Sequence, residues 1–249
     1  MTRRILLTVS YEGTAYGGWQ KQLNADSVQA QLEKALYTAE KKPVCVIGAS
    51  RTDAGVHALA QRAHFDTDSR IPDEKYPFVF NTLLPGDIRV KDAKEVPHDL
   101  HARFSALGKT YTYRIDNARQ ACALKQRFYA HVPLLLNEQR MQEAAGLLLG
   151  EHDFLAFSAS GGQAKTSVRT LHRLDVVRTG EDVTLYVAGN GFLYNMVRII
   201  AGTLIAIGQG KLEADAIERA LQTGDRRLLG MTAPAKGLEL TRVYYEGEA

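Results

Sequence analysis

The residues best suited to chemistry lie in a polar segment at positions 48–58, which reads GASRTDAGVHA. Strand-like apolar stretches flank it, so the segment is predicted to be a loop between two strands. Residues two apart in an extended loop face the same side, which would bring Arg51 and Asp53 into one pocket. A guanidinium beside a carboxylate favours the ionised form, a nucleophile at neutral pH. On residue types alone, however, the favoured interpretation is that Asp53 caps a turn and Arg51 forms a solvated ion pair.

A tyrosine in the second half of the chain is another candidate. Lys109, Tyr111 and Tyr113 alternate along a predicted strand and would share one of its faces. A lysine on that face argues that it is open, and an aromatic ring there could stack on a nucleobase. Burial of Tyr111 in the core is an equally good interpretation of the pattern.

Arg198 is unusual because it stands in an apolar run, between Met196-Val197 and Ile199-Ile200. A charge in such surroundings is rarely buried without a partner of opposite sign, and Asp53 is a plausible one. The alternative is an arginine that extends its head group to solvent from a core helix.

Hydrophobic periodicity predicts the elements that must position these residues. Residues 26–29 have capping-box spacing with Asp26 in the first place, Gly150 would stop a helix, and the glycine-rich stretch 158–165 would be a mobile loop. Strands and helices are mixed in both halves, which indicates an α+β fold. The predicted strands are 5–11, 44–48, 63–67, 88–96, 109–115, 168–178, 183–188 and 238–245, and the predicted helices are 27–41, 77–84, 138–149, 192–207 and 214–222.

Composition excludes several classes of protein. The 249 residues are 45% hydrophobic and 24% charged, as in ordinary globular proteins, and they contain only two cysteines, distant in sequence. This argues against a disulfide scaffold or a zinc finger. The seven histidines form no metal-ligand spacing, so His57 and His64 are predicted to be structural. No apolar stretch is long enough to span a bilayer, and we expect a cytoplasmic protein with no membrane partner.

Charge is unevenly distributed, although the net value is only +3. Residues 103–178 carry 11 Lys and Arg against 6 Asp and Glu, whereas residues 179–249 carry 7 against 9. A locally basic surface suits a polyanion such as nucleic acid, and uneven surface charge is the plainer alternative. The candidates for backbone contact, as a group, are Arg62, Lys109, Arg114, Lys125, Arg127, Lys165, Arg169 and Arg173.

Five segments, in order along nearly the whole chain, resemble the motifs of the tRNA pseudouridine synthase A family. Residues 51–58 resemble its catalytic motif, and Ser50 beside them departs from the glycine that many members have. The remaining matches are 11–20 (YEGTAYGGWQ), 104–106 with 109–113 (FSA and KTYTY), 150–154 (GEHDF) and 191–198 (GFLYNMVR).

The resemblance implies a role for each candidate residue. Asp53 would be the nucleophile, and Arg51 would hold its carboxylate and help to fill the gap left by a flipped nucleotide. Tyr111 would pack against the target uracil, and Arg198 would pair with Asp53. It also implies two ferredoxin-like (RRM-like) halves, 1–104 and 105–249, whose antiparallel sheets join across a central active-site cleft.

The resemblance further implies a homodimer that isomerises uridines 38, 39 and 40 of the tRNA anticodon stem-loop without a cofactor or metal. Other functions remain open: a pseudouridine synthase for a different RNA position, or a tRNA-binding or folding module without catalysis. A uridine-modifying enzyme that uses a cofactor is a weaker alternative, since nothing resembles a site for folate, S-adenosylmethionine or nicotinamide.

Overall fold

The computed structural model describes residues 2–162 and 164–247. The chain divides into two compact units, one formed by Met1–Leu107 with Glu239–Ala249 and the other by Gly108–Leu238. Helices and strands are mixed in each, which confirms the predicted α+β fold.

The first unit follows a βαββαβ order and then receives the last strand of the chain. Its sheet has the order β4-β1-β3, and the far edge of β3 pairs with β2 at one place and with β10 at another. This is the ferredoxin-like arrangement that was predicted. The elements are β1 (Arg3–Tyr11), α1 (Val28–Glu40), β2 (Ile47–Gly48), β3 (His57–Thr67), α2 (Tyr76–Leu83), β4 (Ile88–Val96) and β10 (Leu238–Tyr244).

The second unit repeats most of this order. Its antiparallel sheet has the order β5-β9-β8-β7, with the short β6 parallel to β5, and α3 packs on β8 and α4. The elements are β5 (Gly108–Asp116), β6 (Ala130–His131), α3 (Glu138–Gly146), β7 (Gly150–Asp153), β8 (Val168–Thr179), β9 (Asp182–Gly189), α4 (Met196–Gly208) and α5 (Asp215–Thr223).

The first helix begins one residue later than the capping pattern predicted. Ser27 is the N-cap, and its hydroxyl accepts a hydrogen bond from Ala30 N at 3.3 Å. Asp26 has other partners, the Ser27 N–H at 2.8 Å and the Gln31 side chain at 2.6 Å. The prediction that Asp26 occupies the capping position was therefore wrong, because the serine satisfies the helix N–H group instead.

Two helix boundaries in the second unit also differ from prediction. The α3 helix ends at Gly146 and not Leu149, because residues 147–149 make tighter bonds to the carbonyl three residues back. The α4 helix begins at Met196, four residues after the predicted start, because Asn195 has a left-handed backbone (φ 61°). Gly150 does not stop α3, since it opens β7 with φ of 91°.

Candidate active site

Buried polar contacts within the first unit hold the loop that carries Asp53. Gln61, on β3, has no exposed side-chain surface, and its amide binds both backbone groups of Ser50: Oε1 accepts from Ser50 N at 3.1 Å, and Nε2 donates to Ser50 O at 2.7 Å. Thr52 is buried and shares a 2.7 Å hydrogen bond with the hydroxyl of Tyr11. Both backbone groups of Ser50, its N–H and its C=O, are thus satisfied by one buried side chain.

Asp53 lies in a tight turn at the centre of this loop. Its carbonyl accepts a hydrogen bond from Val56 N at 3.1 Å, and Gly55 supplies the positive φ (76°) that the turn needs. The side chain of Asp53 is half-buried, whereas Arg51 is exposed. A fixed backbone with a partly accessible carboxylate is suited to a nucleophile that must reach a bound substrate.

The segment that follows β1 packs directly on the backbone of the loop. Trp19 N donates to Thr52 O at 3.1 Å, and Gly55 N donates to Tyr16 O at 3.4 Å. Gly18 makes this approach possible: its φ is +103°, and a Cβ there would lie 2.5 Å from Thr52 O. Residues 11–20 and 51–58, which were separate motifs in the sequence, therefore form one structural assembly.

His57 ties the two segments together at the start of β3. Its ring is 3% exposed, and Nδ1 accepts a hydrogen bond from Gly13 N at 3.0 Å. A Cβ on Gly13 would lie only 2.0 Å from Val56 O, so the histidine bonds to a backbone that only glycine can bring so close. His57 acts as a brace for the loop.

Among the described residues, no three or more His, Cys, Asp or Glu are grouped so that they could hold a metal ion.

Tyr111 lies in the middle of β5 in the second unit, opposite Val187 of β9. Its side chain is 7% exposed, and its ring meets the edge of Phe192 at a centroid distance of 5.1 Å. Phe192 was predicted to begin a helix, but it precedes α4 and packs on this tyrosine. Two residues further along β5, Tyr113 is fully buried and its hydroxyl donates to Pro234 O at 2.9 Å. Burial raises the pKa of Tyr113, an effect that the charge of Arg198 opposes.

Arg198 lies on the first turn of α4 and is half-buried. Its Nε donates to Ala233 O at 2.9 Å, and its Nη1 donates to Asn195 Oδ1 at 2.7 Å. Both acceptors are neutral, so they fix the plane of the guanidinium without cancelling its charge. Sequence reasoning identified Arg198 but neither of these two contacts.

The basic candidates do not have equivalent surroundings. Lys125 forms ion pairs with Asp182 and, at 3.8 Å, with Asp116, and Arg173 is paired with Asp175. Lys165, the last residue of the glycine-rich stretch, is exposed. Arg169 is half-buried, its Nη1 donates to Thr166 O at 2.8 Å, and burial lowers the pKa of its guanidinium.

The other candidates lie on strands or near them. Arg62 of β3 donates from Nη1 to Thr8 Oγ1 at 2.9 Å, and its guanidinium lies 5.4 Å from the centre of the Tyr245 ring. Lys109 and Arg114 lie on β5 and are half-buried, and Arg127 is exposed.

Comparison with known proteins identifies the class to which this chain belongs. The family model described as tRNA pseudouridine synthase matches residues 7–105 and 144–246. This protein is a member of the tRNA pseudouridine synthase family, whose enzymes are isomerases that act on uridine in tRNA.

Individual relatives within the family are similar over almost the full length. The tRNA pseudouridine synthase A of Ruminiclostridium cellulolyticum is 50% identical over 98% of this chain and 100% of its own. That of Acetivibrio thermocellus is 48% identical over the same shares. The tRNA pseudouridine synthase A 2 of Clostridium tetani is 46% identical, again over 98% and 100%. A solved Cbf5-Nop10-Gar1 complex covers 97% of this chain and 50% of its own with 15% identity and a TM-score of 0.40, too low to support any conclusion.

None of the helices in the part of the chain that the structure describes is long and apolar enough to cross a membrane.

Proposed function

We propose that this protein converts uridine to pseudouridine at positions 38, 39 and 40 of the tRNA anticodon stem-loop, with Asp53 as the nucleophile. Membership of the family supports the reaction class and the kind of RNA. The motif resemblance supports the three positions and the role of the aspartate. Because those positions differ in sequence between tRNAs, recognition would depend on the shape of the RNA more than on its bases.

The observation that carries this proposal is the way the Asp53 loop is held. Ser50, Thr52 and Gly55 are each bonded to a neighbouring segment, while the carboxylate between them stays partly accessible. Loops are often mobile, and a loop whose backbone is bonded on both sides of one acidic residue is preorganised around that residue.

The chemistry needs a nucleophile and very little else. The N-glycosidic bond between N1 and C1′ of uridine breaks, and the uracil turns while it is retained. C5 then bonds to C1′ and loses its hydrogen as a proton, while N1 takes up a proton. No electrons are gained or lost overall. A covalent bond between the Asp53 carboxylate and the substrate divides this change into two easier steps, and the carboxylate is released when the new bond is complete. Attack on the ribose and attack on the base both fit this description.

Tyr111 and Arg51 assist a base that must leave its stack, which costs a few kcal/mol. Stacking on an aromatic ring such as Tyr111 offsets about 1–3 kcal/mol of that cost. Arg51 is exposed, as a residue that fills the gap in the RNA must be. Arg198 supplies a positive charge that favours the ionised carboxylate of Asp53.

The proposed partner surface consists of basic residues that contact tRNA phosphates as a group, with a second copy of the chain completing a homodimer in the cytoplasm. Arg62, Lys109, Arg114, Lys165 and Arg169 remain the candidates for this contact. Lys125 and Arg173 contribute less in this proposal, because a carboxylate already faces each of them.

Release of tritium from tRNA labelled at uracil C5 tests the proposal directly, since the new bond at C5 expels that hydrogen. The wild type should release tritium, and Asp53→Asn should not, while its affinity for tRNA stays within about twofold because the change is isosteric. Asp92→Asn, an exposed carboxylate on β4, is the matched control and should behave as wild type. Turnover by Asp53→Asn at the wild-type rate would eliminate Asp53 as the nucleophile.

The same assay separates the alternative functions. Release by the wild type from a tRNA whose only labelled uridines lie outside positions 38–40 would show that the protein is a pseudouridine synthase with a different target position. No release from any tRNA, with binding intact, would favour the non-catalytic module. Mapping of pseudouridine in tRNA from a strain that lacks the gene identifies the positions independently.

A further inference from the structure

Asn195 has an unusual backbone at a helix start. It is the N-cap residue of α4 with φ of 61° and ψ of 6°, and it is one of two non-glycine residues with positive φ in the described part of the chain. Asparagine tolerates this left-handed region better than most residues, but glycine adopts it without strain. A residue other than glycine at such a position therefore suggests that its side chain has a use.

The side chain of Asn195 does not perform the usual task of an N-cap. It makes no capping hydrogen bond to the first turn of α4, although asparagine is among the best capping residues. Its Oδ1 instead accepts from Arg198 Nη1 at 2.7 Å. The left-handed backbone points the amide along the helix toward the arginine three residues ahead.

A second contact fixes the other edge of the same guanidinium. Ala233 is joined to Arg198 twice: its carbonyl accepts from Arg198 Nε at 2.9 Å, and its N–H donates to Arg198 O at 3.0 Å. The Ala233 segment can come this close because α4 carries Gly202, where a Cβ would lie 1.7 Å from Met231 O. Arg198 thus donates from Nε to a backbone carbonyl and from Nη1 to the side chain of Asn195.

We propose that Asn195 is a positioning residue that orients Arg198 for the reaction. The inference rests on the proposed role of Arg198 beside the nucleophile. A neutral amide suits this task because it fixes the direction of the guanidinium and does not itself neutralise the positive charge that acts on the reacting carboxylate. An aspartate in the same place would hold the arginine as well or better, but it would compete for that charge.

Two substitutions distinguish this role from a simple helix start. Asn195→Gly keeps the left-handed backbone without strain and removes only the acceptor. Asn195→Asp retains an acceptor and places a negative charge at a helix N-terminus, which favours the helix. If Asn195 merely began the helix, both variants would be stable and active. If it positions Arg198, both should lose activity while their melting temperatures stay near the wild-type value.

The test compares kcat, KM and melting temperature for these variants, alone and combined with Arg198→Ala. Loss of a hydrogen bond to a charged group predicts that kcat falls about 10- to 100-fold in Asn195→Gly, with KM nearly unchanged. In the Arg198→Ala background, Asn195→Gly should lower kcat by less than about a further twofold, because the arginine that Asn195 would orient is absent. Full activity of Asn195→Gly, or an undiminished loss in the double variant, would overturn the inference.

The design also separates this inference from the function on which it rests. Wild-type turnover by Arg198→Ala would remove the proposed role of Arg198 itself. A strong loss in Arg198→Ala together with full activity in Asn195→Gly would keep that role and discard Asn195 alone.

Discussion

Tyr111 presents a nearly buried ring whose edge contact with Phe192 fixes its plane. If the uracil stacks on this ring, the ring supplies binding and the hydroxyl supplies proton movement or orientation. We therefore expect Tyr111→Phe to lower kcat by at least about tenfold and to change tRNA affinity by less than about threefold. Single-turnover rates and filter binding measure the two quantities.

Tyr186→Phe is the matched control, because Tyr186 lies on the neighbouring strand β9, opposite Thr112. It should leave both quantities unchanged. Equal losses of rate and affinity in Tyr111→Phe would instead make Tyr111 a docking residue.

His64 links the stability of the protein to pH. Burial, followed by the nearby charges of Arg4 and His101, lowers its pKa from 6.5 to about 4, while Asp66 opposes the shift weakly. Its Nδ1 accepts from Ala102 N at 3.1 Å, which requires that this nitrogen carry no proton. A histidine that is neutral when folded but free to protonate when unfolded stabilises the folded state above pH 6.5, and this contribution is lost as the pH falls toward about 4.

Replacement of His64 by asparagine should remove this dependence, because the amide oxygen can still accept from Ala102 N but does not titrate. Between pH 6.5 and 4, wild type should lose up to about 3 kcal/mol more unfolding free energy than His64→Asn. Urea titrations at several pH values measure the difference. Parallel curves for the two proteins would show that His64 titrates normally.

Residue patterns predicted the candidates for chemistry better than the residues that hold those candidates in place. The polar stretch 48–58 identified Arg51 and Asp53, but Gln61 gave no signal. On a strand such as β3, an apolar residue such as Leu59 is expected to be buried and a polar residue such as Gln61 to be exposed, and the structure shows the reverse. Its burial follows from two hydrogen bonds to Ser50, a partner eleven residues away. Contacts between distant segments of this kind have no periodicity that a single sequence reveals.

The close approach of the segment after β1 to the Asp53 loop is a testable feature of how these elements pack. In Gly18→Ala, a new Cβ would press on Thr52 O, so the loop must shift. We expect kcat to fall by at least about tenfold, since displacement of a catalytic group by about 1 Å is already costly. Tritium release and melting temperature together measure the effect.

Gly180→Ala is the control for backbone strain. Gly180 also has a positive φ (61°), but a Cβ there would meet nothing within 4 Å, since it lies in the β8–β9 turn. It should lose stability by about 1 kcal/mol from strain and retain turnover. Equal kcat in the two variants would contradict a positioning role for Gly18.

Periodicity predicted most elements to within a residue or two, including β4, α1 and the β8–β9 hairpin. It failed where backbone geometry changes without a change of hydrophobicity. Phe192 and Leu193 continue the apolar pattern of α4, yet the left-handed backbone of Asn195 separates them from the helix, which begins at Met196. Similarly, the apolar residues 147–149 extend the pattern of α3 after its hydrogen bonding has changed.

The proposed tRNA surface predicts how the affinity of the protein for tRNA depends on salt. Each phosphate contact that is lost should flatten the slope of log affinity against log salt by about 0.7 to 0.9. The double variant Lys165→Gln/Arg169→Gln should therefore bind tRNA more weakly and with a shallower slope. Binding isotherms at several salt concentrations measure both.

The matched control removes the same charge elsewhere. Lys34 lies on α1 and Lys91 on β4, and both are exposed. Lys34→Gln/Lys91→Gln should keep the wild-type slope. If both double variants change the slope equally, only net charge matters, and the surface around Lys165 has no special part.

The last strand belongs to the first unit, where Glu239 and Leu240 pair with His57 and Ala58 beside the Asp53 loop. The sequence predicted the strand but could not assign its neighbours, because pairing between residues about 180 positions apart leaves no local pattern. On the ribosome, residues 108–238 are therefore made before the strand that pairs beside the Asp53 loop. A nascent chain that stalls after residue 238 lacks this pairing, so the contact of His57 and Ala58 with Glu239 and Leu240 forms only after the second unit has been made.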